Sequence, residues 1–392
     1  MNILFLLRGT GIGGLEVVTS VLANKFVEEG HHVCVFIFRK DPGTSITDRF
    51  KQEVKVFQQD DYRVTEANVS GLHRILVDER IQVIINQWGL PLTPIRVAKK
   101  ASRGLDVKIF SVYHNAPNAN GRIQSIDIRL AQTENIIKRC LLKVKRYAFR
   151  MVTGRAMRYN YEQSDCFLVL SESYKKVFKA FTHVKDDRKL RSMMNPVTID
   201  TSDFRYDPAT KKNEIIYVGR LDFVQKRVYR IIDTWNYLEE KLPDWDLKIV
   251  GDGPDRENLE NHVKALNLKR VSFEGFKQPK QYYEESKILM LTSDFEGFPL
   301  VLAEAMIFGV VPVVYNSFEA LEDIVTDGVD GVVIPKQQDG FNAELTAKGI
   351  MDIIQEPDKL EKMAHAAIEK SHQLSLDKIY GEWMELFRSL IK

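Results

Sequence analysis

Two glutamates stand eight residues apart in Asp294-Phe295-Glu296-Gly297-Phe298-Pro299-Leu300-Val301-Leu302-Ala303-Glu304, a spacing suited to one extended, oxygen-rich ligand. Glu296 falls at a strand-to-helix turn. Glu304 lies inside the following helix, about 12 Å further along the axis if both were helical. Pro299 suits the first helical turn, where its missing N–H costs nothing, and free amides from Phe298 to Val301 can bond phosphate or sugar oxygens. Ala303, Ala305 and Met306 surround Glu304 and imply a partly buried charge with a bound partner. The plainer alternative is two surface glutamates on an exposed helix. Positive charge comes from Val218-Gly219-Arg220, which ends a strand, and from Lys226 and Arg227 after it. Cations at a strand's carboxyl end suit a diphosphate, although a solvated loop would carry them too. Near the N-terminus, Gly9-Thr10-Gly11-Ile12-Gly13-Gly14 follows a strand and opens a helix, so its amides can approach a phosphate. The same residues fit the dinucleotide pattern Gly-x-Gly-x-x-Gly. The second strand ends at Arg39-Lys40 and not at an acid for a ribose 2′-hydroxyl, though an arginine there could accept a 2′-phosphate.

The elements that must position these groups are read from apolar periodicity. Ile3 to Leu7, Val33 to Phe38, Val83 to Ile85, Val107 to Val112 and Phe167 to Leu170 read as buried strands separated by helical patterns. A second series follows: Ile215 to Val218, Leu247 to Val250, Val271 to Phe273, Ile288 to Leu291 and Val310 to Val314. Helical patterns at Arg256 to Leu266 and Val301 to Phe308 fall between them. Such alternation predicts two doubly wound, Rossmann-like parallel sheets in an α/β chain. The polar stretch Asp200 to Asn213 is the expected interdomain linker. The boundaries are then 1–195 for an N-terminal domain, 196–375 for a C-terminal domain and 376–392 for a terminal helix. That helix carries Ile379, Trp383, Leu386, Phe387 and Leu390 at helical spacing and is expected to pack back toward the N-terminal domain.

Bulk properties narrow the field. A chain of 392 residues with 44% apolar and 28% charged residues can build two cores. A net charge of +2 does not mark a nucleic-acid binder. Cys34, Cys140 and Cys166 are far apart and form no Cys-x-x-Cys pair, which argues against a disulfide framework and a zinc site. The apolar run at the N-terminus is too short for a signal peptide, and no later segment holds about 18 consecutive apolar residues. The expectation is a cytoplasmic protein, at most peripheral at the inner face of the membrane.

Taken in order, Gly13-Gly14-x-Glu16, Asn195-Pro196-Val197, VGRLDFVQKR, IVGDGPDRENL, VSFEGF and DFEGFPLVLAEAMIFGVVPVV resemble the retaining family 4 glycosyltransferases over nearly the whole chain. The resemblance implies a GT-B architecture, two such domains facing a cleft. It also implies transfer from a nucleotide diphosphate sugar, a UDP- or GDP-sugar, with no other cofactor and no metal. Glu296 matches the carboxylate on the donor sugar's hydroxyls and Glu304 the one on the ribose. Arg220 and Lys226 match the pair on the diphosphate. His114 matches a histidine near the transferred sugar, and Gly251, Gly253 and Pro254 match a loop below the nucleotide. Phe276, Gly297, Phe298, Leu300 and Val301 complete the implied donor contacts, with Gly13 and Gly14 at the first turn. Glu322 falls at a further acidic position of unsettled role. Two positions depart from the pattern, since Arg227 and Pro299 stand where the family commonly has glycine.

In the mechanism this implies, cations and helix amides stabilise the departing diphosphate, and the acceptor attacks from the face it leaves. The acceptor is expected to be a glycan or a lipid-linked glycan in cell-surface polysaccharide synthesis. No acid interrupts Lys138 to Arg158. There Ile137, Leu141, Val144, Ala148 and Met151 form one helical stripe, with Arg139, Lys143, Arg146 and Arg150 opposite. Two readings stand: a helix packed on its own domain with a solvated basic face, or contact with an anionic membrane surface. Two further functional classes share the motifs in part, a nucleotide-sugar epimerase or hydrolase on the same scaffold and a dinucleotide-dependent oxidoreductase. Acceptor dependence separates the first from a transferase, and bound-cofactor absorbance would reveal the second.

Overall fold

The computed structural model describes residues 1–43 and 45–391 and divides the chain into two compact units, Met1–Thr198 with Leu376–Lys392, and Ile199–Ser375. In the first unit, β1 (Asn2–Leu7), α1 (Gly14–Glu28), β2 (His32–Ile37), β3 (Lys55–Gln58), α2 (Glu66–Asp78) and β4 (Val83–Asn86) come first. Then follow α3 (Leu92–Ala101), β5 (Lys108–Tyr113), α4 (Gly121–Gln132), α5 (Ile136–Gln163), β6 (Cys166–Val169), α6 (Ser173–Thr182) and β7 (Leu190–Ser192). All seven strands pair in parallel, in the order β3-β2-β1-β4-β5-β6-β7. The inner strands are buried on both faces, so they read as unbroken apolar runs. Edge strands β3 and β7 are short and partly exposed, and periodicity does not reveal them.

The second unit repeats the scheme with β8 (Lys212–Val218), α7 (Tyr229–Asn236), β9 (Asp246–Val250), α8 (Arg256–Ala265), β10 (Val271–Gly275) and α9 (Lys280–Glu285). It continues through β11 (Ser286–Leu291), α10 (Leu300–Ile307), β12 (Val311–Tyr315), α11 (Leu321–Ile324), β13 (Val332–Ile334), α12 (Ala343–Ile354) and α13 (Pro357–Ser371). Its six parallel strands run β10-β9-β8-β11-β12-β13. The stretch expected to be a polar linker is partly packed. Phe204 meets Phe308 with ring centroids 4.6 Å apart, Tyr206 meets His365 at 5.1 Å, and Lys211 is buried.

The last helix, α14 (Leu376–Leu390), belongs to the first unit. It buries Ile379, Trp383, Met384 and Phe387, with Phe387 against Phe26 and Phe110 and Asp377 bonded to Lys25 at 2.6 Å. Leu386 and Leu390 stay half-exposed, and Met384, outside the expected stripe, is buried. Helix α5 reverses the faces expected of a helix packed on its own domain. Arg146 of the basic stripe turns toward α4 and pairs with Asp127, whereas Ile137, Leu141 and Val144 of the apolar stripe are 72%, 65% and 68% exposed.

Candidate functional site

In both sheets the chain order reverses at one pair of strands, β1/β4 in the first unit and β8/β11 in the second. Loops leaving such a pair diverge and open a crevice at the carboxyl ends. In the second unit the loop after β8 carries Gly219 to Arg227 and the loop after β11 carries Thr292 to Pro299, so residues about seventy positions apart converge. The Lys226 ammonium lies 2.7 Å from Glu296 Oε1, with side-chain exposures of 16% and 6%. Gln225 donates from Nε2 to the Phe295 carbonyl at 3.2 Å. The Asp294 amide donates to the Gln225 carbonyl at 2.8 Å, which ties the two loops together.

Arg220 is held by its backbone and left open at its head. Its carbonyl accepts from the Tyr217 hydroxyl at 2.8 Å; burial pushes that phenol's pKa well up, so it stays a donor. The guanidinium, 63% exposed, pairs with Asp222, and Asp222 also accepts from the amides of Val224 and Gln225. Gly251 and Gly253 let the loop after β9 close on this turn. A Cβ at Gly251 would sit 1.9 Å from the Gly219 carbonyl oxygen, and one at Gly253 would sit 2.2 Å from that of Leu221. These glycines therefore position Arg220 through backbone contact, with the Leu221 amide on the Asp252 carbonyl at 3.0 Å. Pro254 is exposed beside them. Phe276, directly after β10, is 84% exposed, an unburied ring at a strand end.

Glu304 lies within α10, which is otherwise apolar, and is only 7% exposed. The Tyr283 hydroxyl donates to Glu304 Oε2 at 3.4 Å, and burial beside that carboxylate pushes the phenol's pKa well up. Pro299 occupies the N-cap and not the first helical turn, so the expected helix start shifts by one residue. No side chain caps α10, which leaves the amides at Leu300 and Val301 oriented along its N-terminal axis. Gly297 and Phe298 are buried in the approach to it. Arg227, the departure from glycine, has φ +51, a conformation costing a non-glycine residue about 1 kcal/mol. Its ion pair with Asp294 at 2.6 Å, both groups mostly buried, offsets that strain.

In the first unit, Gly13 caps α1 with no side-chain bond, and Gly14 begins the helix. The amides there are already engaged. The Glu16 carboxylate accepts from the backbone at Gly13 and Glu16, and Asp41 accepts from the Gly11 amide at 3.2 Å. Burial raises the Glu16 pKa, and the Asp41 charge adds to it. Two carboxylates at the glycine turn oppose a dinucleotide pyrophosphate at the same place.

His114 follows β5 and meets Gln87, which follows β4, with Nε2 2.7 Å from Oε1. If Nε2 donates to that carbonyl oxygen, Nδ1 carries a lone pair, and Nδ1 is buried without a partner. Burial pushes the imidazole pKa down to about 3, so the ring is neutral. Further unpartnered buried atoms lie beside it or at the same strand ends: Gln87 Nε2, Trp88 Nε1, Arg8 Nε and Tyr62 Oη. The Arg8 guanidinium stacks over Tyr62 at 5.1 Å and Trp88 at 5.9 Å. Buried polar atoms are normally paired, so this group is a candidate place for a polar ligand. Sequence reasoning found His114 and missed Arg8, Tyr62, Gln87 and Trp88. Their signal was position, since Arg8 and Gln87 are the first residues past their strands.

Among the described residues one cluster has metal-ligand types, His32, Cys34 and Glu79. Lys55 donates to both Glu79 oxygens at 2.8 and 3.0 Å, and His32 bonds the same carboxylate at 2.7 Å, so the group is an ion-pair cluster. It lies toward the amino ends of the strands, away from the switch point.

Residues 198–370 match the family model for Glycosyl transferases group 1, and residues 12–200 match that for Glycosyltransferase Family 4. An uncharacterized glycosyltransferase of Haemophilus influenzae is 35% identical over 171 residues, 43% of this chain and 47% of that protein. The GalNAc-alpha-(1->4)-GalNAc-alpha-(1->3)-diNAcBac-PP-undecaprenol alpha-1,4-N-acetyl-D-galactosaminyltransferase of Campylobacter jejuni is 27% identical over 233 residues, 58% of this chain and 61% of its own. The chain spans about half the length of the curated relatives it matches. Anabaena HepE, solved in complex with UDP-glucose, has the same fold, with a TM-score of 0.72 at 17% identity over 100% of both chains.

Proposed function

Because the chain belongs to the group 1 glycosyl transferases and carries the two parallel-sheet units of the GT-B fold, we propose that it transfers a sugar from a nucleotide diphosphate sugar to a glycan or lipid-linked acceptor in cell-surface polysaccharide synthesis. The observation that carries this reading is the Lys226–Glu296 pair at the second unit's switch point, with Arg220 on the same loop after β8 and Glu304 in the helix that follows the loop after β11. Arg220 and Lys226 bind the diphosphate, with the α10 amides at Leu300 and Val301 beside them. Glu296, paired with Lys226 at 2.7 Å, accepts from sugar hydroxyls, and Glu304 accepts from the ribose. Phe276 offers a face for the base. A uridine donor is supported by the ligand of Anabaena HepE, and a guanosine donor is the alternative. At the glycine turn of the first unit the Glu16 carboxylate already accepts from the backbone at Gly13, so a phosphate there would have to displace it.

In the transfer step the bond from the anomeric carbon to the diphosphate oxygen breaks and a bond from the acceptor hydroxyl forms. The diphosphate takes up the hydroxyl proton. Attack on the face the diphosphate leaves gives retention, and no protein nucleophile is needed. The first unit supplies the acceptor's surroundings, where Arg8, Trp88, Gln87 and neutral His114 meet sugar oxygens. A lipid-linked acceptor is in keeping with the PP-undecaprenol glycan named for the Campylobacter relative. The enzyme then works on the cytoplasmic side, where nucleotide sugars are made. An epimerase or hydrolase would release product from the donor alone, and an oxidoreductase leaves Arg220, Lys226, Glu296 and Glu304 without a task.

A thermal-shift panel of nucleotides and nucleotide sugars tests the reading, run on wild type, Arg220→Ala and Glu304→Ala. A ligand at a hundred times its Kd adds about 2.7 kcal/mol of stability. One nucleotide diphosphate should stabilise the wild type and leave Arg220→Ala unmoved, although that variant folds normally because its guanidinium is exposed. Stabilisation by nicotinamide dinucleotides in place of nucleotide sugars would refute it.

A further inference from the structure

Helix α5 is 28 residues long, about 42 Å, and its first half lies on α4 by one side only. On that side Arg146 bonds Asp127, and Leu142 and Phe149 are half-buried. The outward side carries Ile137, Leu141, Val144, Ala148 and Met151 within an arc of about 80°. Tyr147 and Val152 widen that arc, exposed at 66% and 63%, and Ile136 at the helix start is 77% exposed. Lys138 and Lys145 border it on one flank, and Lys143 and Arg150 lie beyond Tyr147 on the other, Arg150 with its guanidinium 5.4 Å over the Phe181 ring. None of these four cations forms an ion pair among the described residues. The helix has eight Lys or Arg and a single acid, Glu162, in its last turn. At its base an open depression of about 470 Å³ is lined by Arg129, Lys138, Leu141 and Leu142, which sets cations beside apolar surface.

A contiguous apolar stripe of this extent facing water marks an interaction surface. Its chemistry selects the occupant. Cations on both flanks of an apolar stripe match the headgroup layer of an anionic bilayer, where the stripe enters the acyl boundary and the cations stay among phosphates. No described helix is long and apolar enough to cross a membrane, and α5 with its eight cations is an in-plane element. We propose that the outward face of α5 docks the enzyme on an anionic phospholipid surface, with Ile137, Leu141 and Val144 inserted and Lys138, Lys143, Lys145 and Arg150 on the headgroups. The attachment is therefore both electrostatic and apolar, so salt weakens it without abolishing it.

Cys140 gives a direct readout, because it lies in α5 at the edge of the stripe and is exposed while Cys34 and Cys166 are buried. The full chain, labelled at Cys140 with an environment-sensitive fluorophore, is titrated with phosphatidylglycerol-containing vesicles and with pure phosphatidylcholine vesicles, alongside unlabelled sedimentation. The proposal expects a blue shift and binding with anionic vesicles only. Leu141→Glu with Val144→Glu should weaken binding more than tenfold. Lys143→Ala, Lys145→Ala and Arg150→Ala together should weaken it more than tenfold at low salt and flatten the salt dependence. Leu141, Val144, Lys143 and Lys145 are exposed and Arg150 stacks over the Phe181 ring at 5.4 Å, so the melting temperature and nucleotide response of each variant are measured to check folding separately. No binding to anionic vesicles at low salt overturns the proposal, as does binding indifferent to both variants. A concentration-dependent dimer broken by Leu141→Glu would assign the face to a second copy and overturn it equally.

Discussion

Removing the Lys226 side chain tests whether the switch-point pair is a charge-compensated unit. Its ammonium lies 2.7 Å from Glu296 Oε1, and the two side chains are 16% and 6% exposed. In Lys226→Met the Glu296 carboxylate stays buried without its cation, a loss of about 3–5 kcal/mol for a pair of this kind. In Glu296→Gln the stranded group is a lysine with more access to water, so the loss should be smaller, about 1–3 kcal/mol. The double variant removes both charges and should lie within about 1–2 kcal/mol of wild type, a coupling of at least about 2 kcal/mol. For a unit the size of Ile199–Ser375, roughly 2–4 °C of melting temperature accompanies each kcal/mol, so Lys226→Met should melt roughly 6–20 °C lower. Scanning calorimetry on the four proteins measures the cycle, with sugar transfer assayed on each. Transfer should fall by about 10²–10³ in both singles and stay low in the double variant, because stability and chemistry use the pair differently. If both singles melt like wild type, or if the double variant is simply additive, Lys226 does not hold the Glu296 charge and its role in the site is lost.

Gly253→Ala should be destabilising although alanine is small, because its Cβ would lie 2.2 Å from the Leu221 carbonyl oxygen. A backbone shift there moves Arg220, so calorimetry should show a loss of about 1–3 kcal/mol and titration a weaker nucleotide diphosphate response. His114 should leave its mark on acid stability. Its folded pKa is lowered to about 3, so between about 6.5 and 3 the unfolded chain binds a proton that the folded chain does not. Stability is therefore lost as pH falls through that window, by at most about 1.4 kcal/mol per unit. Denaturation of His114→Asn at pH 7, 6, 5 and 4 should show a shallower fall than wild type, and equal slopes would mean that the buried imidazole is protonated in the fold.

The inner strands could be read from sequence because a parallel strand buried on both faces becomes an unbroken apolar run, as in Ile3 to Leu7 and Ile288 to Leu291. Edge strands obey no such rule. Lys55–Gln58 has one side in water, and Leu190–Ser192 and Val332–Ile334 are three residues each, so their pairing depends on neighbours that are distant in the chain. The charged groups of the second unit were also legible, since their motifs are contiguous, but the 2.7 Å contact of Lys226 with Glu296 was not. Nor did spacing show that Gly251 and Gly253 serve the backbone of Gly219 to Leu221 before they serve any ligand. Arg227 is the reverse case. Its standing in place of glycine marked the turn in advance, and φ +51 with the Asp294 ion pair gives the physical reason that arginine is tolerated there.

Helix α5 shows where periodicity stops. An apolar stripe at helical spacing fixes which residues share a face, and nothing in the spacing says whether that face meets protein or water. The deciding facts are tertiary: α4 covers the side carrying Arg146, and Ile137, Leu141 and Val144 are left bare. The orphaned polar atoms of the first unit follow the same logic with opposite chemistry. Arg8, Gln87 and Trp88 belong to no motif, and only the strand order β1/β4 brings their loops to one crevice. A single topological rule thus locates both polar sites, at β1/β4 and at β8/β11. Composition then separates them. The second unit sets cations beside acids, which suits the proposed diphosphate sugar, and the first sets aromatic faces and unpaired donors, which suits the proposed hydroxyl-rich acceptor.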